Sequence, residues 1–289
     1  MLDVRRLRLL SELAQRGTIA AVAESLSYTP SAVSQQLSTL EREAGVALLE
    51  RSGRSVMLTE AGRILVGHAE VVIARLEQAS ADLAALDGTV TGELRIGAFP
   101  SSVRPIATPA LVALGTEHPA LRVRIVEVDP AAAPEHLRTG ALDVALLQYY
   151  DCFPDTADPT LGSEPLLDET VYLAAQSTVA LTEHAEAQWI SGTPDTLCDE
   201  ATIRICENAG FVPHVRHRVD DFTAVLALVA AGQGVGLVPE IAVLDAPAGV
   251  HLTELPTHRR TRLAYRRGTA DDPRIRAGRL ALHRAARQR

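Results

Sequence analysis

The chain has 289 residues, 47% of them hydrophobic, with 28 basic against 36 acidic side chains, which suits two or three compact units and excludes a wholly basic nucleic-acid coat. The apolar runs break well before the ~20 residues of a bilayer crossing. The start MLDVRRLRLLSELAQRG lacks the apolar block of a secretory signal, so a cytoplasmic location with no membrane partner is expected.

Charge is uneven along the chain. Residues 1–63 hold eight arginines and seven acids, leaving 20 arginines and 29 acids for the remainder. Any contact with DNA phosphates must come from arginines clustered near the N-terminus, and more than one copy is needed for useful affinity.

The first segment predicts three short helices. Leu7, Leu10 and Leu13 with Ala14 recur at helical spacing, and Gly17 stops that helix. Thr18 caps a second, Ile19 to Leu26, where Ala20, Ala21 and Ala23 leave room for a neighbour. Thr29 is a good N-cap and Pro30 suits the first helical position, so a third helix is expected from about Pro30 to Ala44, stopped by Gly45. Val33, Leu37 and Leu40 share one face of it, while Ser31, Ser34, Gln35 and Ser38 share the other. That outward face is polar and uncharged. Hydroxyls and an amide can approach a groove and bond base edges or backbone oxygens, where acids would be repelled. A merely solvated face with the same residues fits the spacing equally well.

The wider pattern resembles the LysR-type transcriptional regulators. It comprises Gly17-Thr18, Ala20-Ala21, Leu26, the run TPSAVSQQLSTLEREAG, Leu48-Leu49-Glu50-Arg51, Arg54 and Leu58-Thr59-Glu60-Ala61-Gly62. The resemblance implies a winged helix-turn-helix over 1–58 that binds double-stranded DNA, with Pro30 to Glu41 as recognition helix and Glu50 to Leu58 as wing. Thr29, Ser31, Ser34, Gln35 and Ser38 would face the DNA, and Arg51 and Arg54 would lie near phosphate. Leu9, Ile19 and Leu49 stand where the family often has aromatics.

From Thr59 the helical pattern lengthens. Gly62, Leu65, Ala69, Val72, Leu76, Ala79, Leu83 and Leu86 advance by three and four alternately, the repeat that drives two helices together. Such a stripe, roughly 40 Å long at ~1.5 Å per residue, needs a partner helix. The resemblance likewise implies a dimerising linker over 59–88, in a homodimer or homotetramer. Gly88 and Gly92 bracket a hinge.

Beyond it, strands and helices alternate, predicting an α/β domain with a mostly parallel sheet. Strands are expected at Leu94 to Ala98, Leu121 to Val128, Leu142 to Leu147, Glu169 to Ala175, Val215 to Val219, Val235 to Val238 and Leu263 to Arg266. Helices are expected at Pro105 to Gly115, Pro134 to Thr139, Asp199 to Ala209, Asp221 to Ala231 and from about Asp272. The run Asp220 through Pro239 resembles the LysR-type effector domain, a two-lobed fold similar to periplasmic solute-binding proteins. This implies a regulatory domain over 92–289, with one lobe at about 92–165 and 263–289 and the other at about 166–262. A small-molecule effector would bind between them. RNA polymerase completes the expected partners.

Candidate effector residues follow from helix starts and strand ends. Ser101 and Ser102 after Phe99-Pro100 offer hydroxyls and free N–H groups at a helix start, which points to an anionic or carboxylate-bearing effector; capping alone explains one of them. Ligands of doubly wound folds sit beyond the carboxyl ends of strands, which nominates Gln148 and Tyr149. Thr202, Phe222 and Thr223 are candidates from the facing lobe.

Other chemistry finds little footing. Gly234-Val235-Gly236 follows a helix and precedes a strand, the reverse of a dinucleotide fingerprint. His214 and His217 would leave a strand on opposite faces, so no shared metal is expected. No G-x-S-x-G elbow or phosphate loop occurs, so neither an enzyme nor a cofactor is expected, and a pure solute-binding protein has no use for a winged helix-turn-helix. Cys152, Cys198 and Cys206 form no C-x-x-C pair and suit a reducing compartment. Cys206 before Glu207-Asn208-Ala209-Gly210 resembles the second sensing cysteine of peroxide-responsive members of the family, with Cys198 displaced by about one residue. A thiol redox sensor is therefore the alternative within the family.

Overall fold

The computed structural model describes residues 1–52, 55–85, 90–154, 158, 160–243 and 246–288. The chain divides into two units, Met1–Thr89 with Arg266–Pro273, and Val90–Tyr265 with Arg274–Arg289.

In the first unit, α1 (Val4–Arg16) starts at Asp3, whose carboxylate accepts from the N–H groups of Arg5 and Arg6. Next come α2 (Ile19–Ser25), capped by Thr18, and α3 (Pro30–Ala44), where Thr29 Oγ1 accepts from the Ala32 N–H at 3.2 Å. Gly45 closes α3 at φ 72°, in the left-handed region that glycine enters without strain. Leu10, Leu13, Val22, Val33, Leu37 and Leu40 form the core between the three helices. Ala23 is buried there, whereas Ala14 and Ala20 are exposed and carry no packing.

Two short antiparallel strands follow, β1 (Leu49–Ser52) and β2 (Ser55–Leu58), with Leu49 opposite Leu58. The helix α4 (Glu60–Ala85) then runs for 26 residues. A side chain at Gly62 would place its Cβ 2.3 Å from the Leu48 carbonyl oxygen, so only glycine lets α4 start this close to the base of the hairpin. The expected stripe divides in two. Gly62 and Ala69 are buried and Leu65 half-buried on the core, but Val72, Leu76 and Leu83 are 40%, 49% and 67% exposed. Leu86 and Gly88 lie outside the described residues.

The second unit contains one mixed eight-stranded sheet. Its elements in chain order are β3 (Gly92–Ala98), α5 (Pro100–Ser102), α6 (Thr108–Glu117), β4 (Leu121–Glu127), α7 (Ala133–Arg138), β5 (Val144–Tyr150), β6 (Leu161–Ala175) and β7 (Gln188–Ser191). They continue with α8 (Leu197–Asn208), β8 (His214–Arg218), α9 (Phe222–Ala230), β9 (Val235–Pro239), α10 (Glu240–Val243), β10 (His251–Arg266) and α11 (Pro273–Arg287). The strand order is β4-β3-β5-β10-β6-β9-β7-β8. The long strands β6 and β10 thus lie between a β4-β3-β5 half and a β9-β7-β8 half.

The sheet is mixed, with parallel pairing in both halves as expected: β3 runs parallel to β4 and β5, and β7 to β8 and β9, while β10 runs antiparallel to β5 and β6 antiparallel to β9. Two expected element bounds need correction. The strand expected at Leu142 to Leu147 runs on through Tyr150, so Gln148 and Tyr149 lie within it, not after it. The helix expected from Pro105 starts at Pro100, and a π turn over Val103–Ala107 joins α5 to α6. Pro105 and Pro109 have no N–H to give an α-helical ladder, which fits a local change of winding.

Candidate functional site

The outward face of α3 is set by what its other residues do. Val33, Leu37 and Leu40 are buried. Glu41 accepts from the N–H groups of both Leu48 and Leu49 at 3.0 Å, and Glu43 is ion-paired with Arg6. Gln36 accepts from Arg6 Nε at 2.8 Å. Both acids and one of the two glutamines are therefore tied back to the fold. Thr29, Ser31, Gln35 and Ser38 are exposed and Ser34 is half-buried, leaving a face of hydroxyls and one amide, with Arg42 exposed near its end. Arg51 is described only as backbone of β1, and Arg54 lies outside the described residues.

The second site is a cleft of ≈ 310 Å³ lined by residues of both halves of the sheet, within the usual size range of small-molecule sites. Phe99, Ser101 and Gln148 come from the β3 and β5 side, and Thr196, Cys198 and Phe222 from the α8 and α9 side. Beneath them lies Arg259 of β10, fully buried. Its Nη2 and Nε donate to Glu169 of β6 at 2.8 and 3.2 Å, and its Nη1 donates to Ser101 Oγ at 3.1 Å and Gln148 Oε1 at 3.5 Å. The guanidinium carbon stands 5.4 Å from the centre of the Phe99 ring and 5.8 Å from that of Phe222, within cation–π range of both. Burial works most strongly against the Arg259 charge, but Glu169 together with Tyr150 and Cys198 outweighs it and raises the pKa, so the guanidinium stays charged. Glu169 in turn accepts from the Ile241 N–H at 2.9 Å. One buried ion pair therefore holds the start of α5, the end of β5, the start of α10 and, through the Phe222 ring, the start of α9.

The nominated residues separate accordingly. Ser101, Gln148 and Phe222 line the cleft. Thr202 lines a smaller adjoining pocket and spends its hydroxyl on the Cys198 carbonyl at 2.9 Å. Ser102 is fully buried, donating to the Phe99 carbonyl at 2.7 Å, so it closes the turn and does not face the cleft. Tyr149 packs with Ala133 and Leu137 on the opposite face of β5 from Gln148, as alternation requires. Thr223 is exposed outside the lining, its N–H bonded to the capping Asp221. His214 and His217 sit on edge strand β8, the first exposed and the second half-buried.

Sequence reading missed Phe99, Glu169 and Arg259 as parts of this site. Cys198, a redox candidate in the sequence, lines the cleft at the first turn of α8, its Sγ 3.5 Å from Gln148 Nε2 and 3.6 Å from the Tyr150 hydroxyl. Cys206 lies eight residues further along the same helix, about 12 Å at 1.5 Å per residue, beyond the reach of a disulfide unless α8 unwinds. Burial pushes the Cys206 thiol up to about 12, leaving it protonated and unreactive at neutral pH.

Residues 4–63 match a family model described as bacterial regulatory helix-turn-helix protein, lysR family, and residues 87–287 match the LysR substrate binding domain. GltC of Bacillus subtilis, a transcriptional dual regulator, is 30% identical over 244 residues, covering 83% of this chain and 81% of that protein. ShiR of Corynebacterium glutamicum, an HTH-type transcriptional regulator, is 32% identical over 254 residues, covering 80% of this chain and 84% of its own length. Among solved structures, a hydrogen-peroxide-bound cysteine mutant of Corynebacterium glutamicum OxyR is similar over 100% of this chain and 94% of its own, with a TM-score of 0.59 and 25% identity. No helix among the described residues is long and apolar enough to cross a membrane.

Proposed function

Since the chain belongs to the LysR family of DNA-binding transcriptional regulators, we propose that α3 reads its operator and that a small effector in the Phe99–Phe222 cleft controls the DNA-bound state. The observation that carries the first part is the face of α3. Thr29, Ser31, Ser34, Gln35 and Ser38 present donors and acceptors with no carboxylate among them, because Glu41 and Glu43 turn back to bond within the fold. Gln35 is suited to bidentate contact with an adenine edge, while the hydroxyls serve phosphates or bases. Arg51 and Arg54 of the wing supply phosphate contacts that position the helix without reading sequence.

The working division is 1–58 for DNA binding, 59–88 for dimerisation, and 92–289 for effector binding. The last comprises lobes at about 92–165 with 263–289 and at about 166–262. The exposed apolar half of α4 supports a homodimer, itself able to pair into a tetramer, since Val72, Leu76 and Leu83 gain from burial against a second copy. Ser101, Gln148, Phe222 and Cys198 contact the effector, and Thr202 supports the floor beside them. The regulator works in the cytoplasm on double-stranded DNA, with RNA polymerase as its downstream partner.

The test is to sequence genomic fragments retained by the purified full-length protein. A shared motif with two-fold symmetry is the expected result. Retained fragments with no common sequence would overturn the assignment of α3.

A further inference from the structure

The cleft carries information about the charge of what it binds. Its described lining includes three carboxylates, Glu127, Asp129 and Asp220, and no arginine or histidine. The nearby cation, Arg259, is fully buried and already paired with Glu169, Ser101 and Gln148. Among the described residues Asp220 is held by neutral donors only, the N–H and hydroxyl of Thr193 at 2.8 and 2.9 Å, and Asp129 accepts from the Ala131 N–H at 2.8 Å. The Glu127 side chain, exposed at the end of β4, makes no hydrogen bond or ion pair among the described residues. Bonds from neutral donors leave each carboxylate its charge, so the net field of the lining is negative.

A second observation points independently to a ligand. Thr261 of β10 is 1% exposed, and its Oγ1 finds no hydrogen-bond partner among the described residues. It stands directly opposite Gln148 in the β10–β5 register, so its side chain leaves the sheet on the same side as that of Gln148, which lines the cleft. A buried hydroxyl without a partner costs stability, and a polar group of a ligand that reached it from the Gln148 side would relieve that cost, whether as donor or acceptor.

We infer that the effector of this cleft is a small organic cation, a protonated amine on a carbon skeleton. The ammonium lies toward Glu127 and Asp129, and the carbon part lies against Phe99 and Phe222. The inference rests on the proposed effector role of the cleft. It replaces the anionic effector expected from the two serines, because Ser102 is buried in its own turn and Ser101 accepts from Arg259. An anion would meet three like charges and no uncommitted cation, whereas an amine meets complementary charge and apolar walls.

Cys198 supplies a charge probe inside the cleft. The full-length chain carrying Cys152→Ser is treated in separate runs with 2-(trimethylammonium)ethyl methanethiosulfonate and 2-sulfonatoethyl methanethiosulfonate. With either reagent the Cys198 thiolate attacks the sulfenyl sulfur, forming a mixed disulfide and releasing methanesulfinate. Rates are read by mass spectrometry and divided by those of the same cysteine in the urea-unfolded chain. A cleft lined by one sign of charge concentrates counter-ions by about tenfold or more, so the cationic reagent should be favoured by at least that factor. Glu127→Gln with Asp129→Asn should remove most of the preference. Equal rates, preference for the sulfonate, or a cation preference untouched by the double variant would each overturn the inference while leaving the cleft accessible to effectors. A Cys198 that reacts with neither reagent would overturn the effector role of the cleft itself.

Discussion

Arg259 and Glu169 are each fully buried and meet at 2.8 Å, so neither tolerates losing the other. Removing one partner of a buried ion pair leaves an uncompensated charge and costs about 3–5 kcal/mol, while replacing both with apolar residues is far milder. Arg259→Met should therefore lower stability by about that amount, and Arg259→Met with Glu169→Leu should recover most of it. Trp189 is the one tryptophan and is fully buried in the second unit, so urea unfolding followed by its emission reports the relevant transition. A single variant as stable as wild type would show that the pair is not the support described. Cys206 gives a pH dependence of known sign. Burial raises its thiol from the ordinary 9.0 to about 12, so the folded chain holds a proton that the unfolded chain has lost in that interval. Its contribution is complete below about pH 9 and declines as pH rises toward 12. The Cys206→Ala chain should consequently lose less stability than wild type between pH 9 and 11, and parallel curves would contradict this. At this scale the sequence was legible where a residue's role is local, as with the Thr29 cap and Gly45 stop. It was opaque where the role is distant: Arg259 sits between His258 and Arg260, and nothing in that charged run shows that only the middle residue is buried.

Helices α1 to α4 could be read because apolar spacing, caps and stops agree with one another. β10 could not. Its buried alternate positions include Thr257, Arg259 and Thr261, so the inward face is polar and the usual apolar-in, polar-out signal is missing where the strand passes the cleft. Functional sites are where such local rules fail. Only the part of β6 from Glu169 onward is legible in the sequence for a similar reason, since between Leu161 and Asp168 the strand buries Leu161 alone and its other positions are half-buried or exposed, so no apolar-in signal marks it. The exposed half of α4 yields a prediction of its own. Leu76→Glu places a carboxylate at a 49% exposed apolar position that we assign to the dimer seam, and an unpaired charge there should shift the chain toward monomer. Light scattering across a dilution series checks this, and an unchanged dimer at every concentration would contradict the role of the stripe.

The whole molecule carries a charge of -8, so it approaches DNA through a nearly neutral N-terminal unit and not through a general basic field. On the proposed reading, affinity depends on a few phosphate contacts per copy, multiplied by dimerisation, and on base readout by α3. The two contributions respond differently to mutation: Arg51→Ala should weaken binding to all sequences and lower the salt slope by about one, leaving discrimination intact. Gln35→Ala should do the reverse. The most direct test of the account is the ratio of operator to random-sequence affinity for wild type and Gln35→Ala, measured by fluorescence anisotropy at one fixed salt concentration. The account predicts that the variant loses about 1–3 kcal/mol of discrimination while its random-sequence affinity is unchanged. An unaltered ratio in Gln35→Ala, or a ratio changed instead by Arg51→Ala, would contradict it.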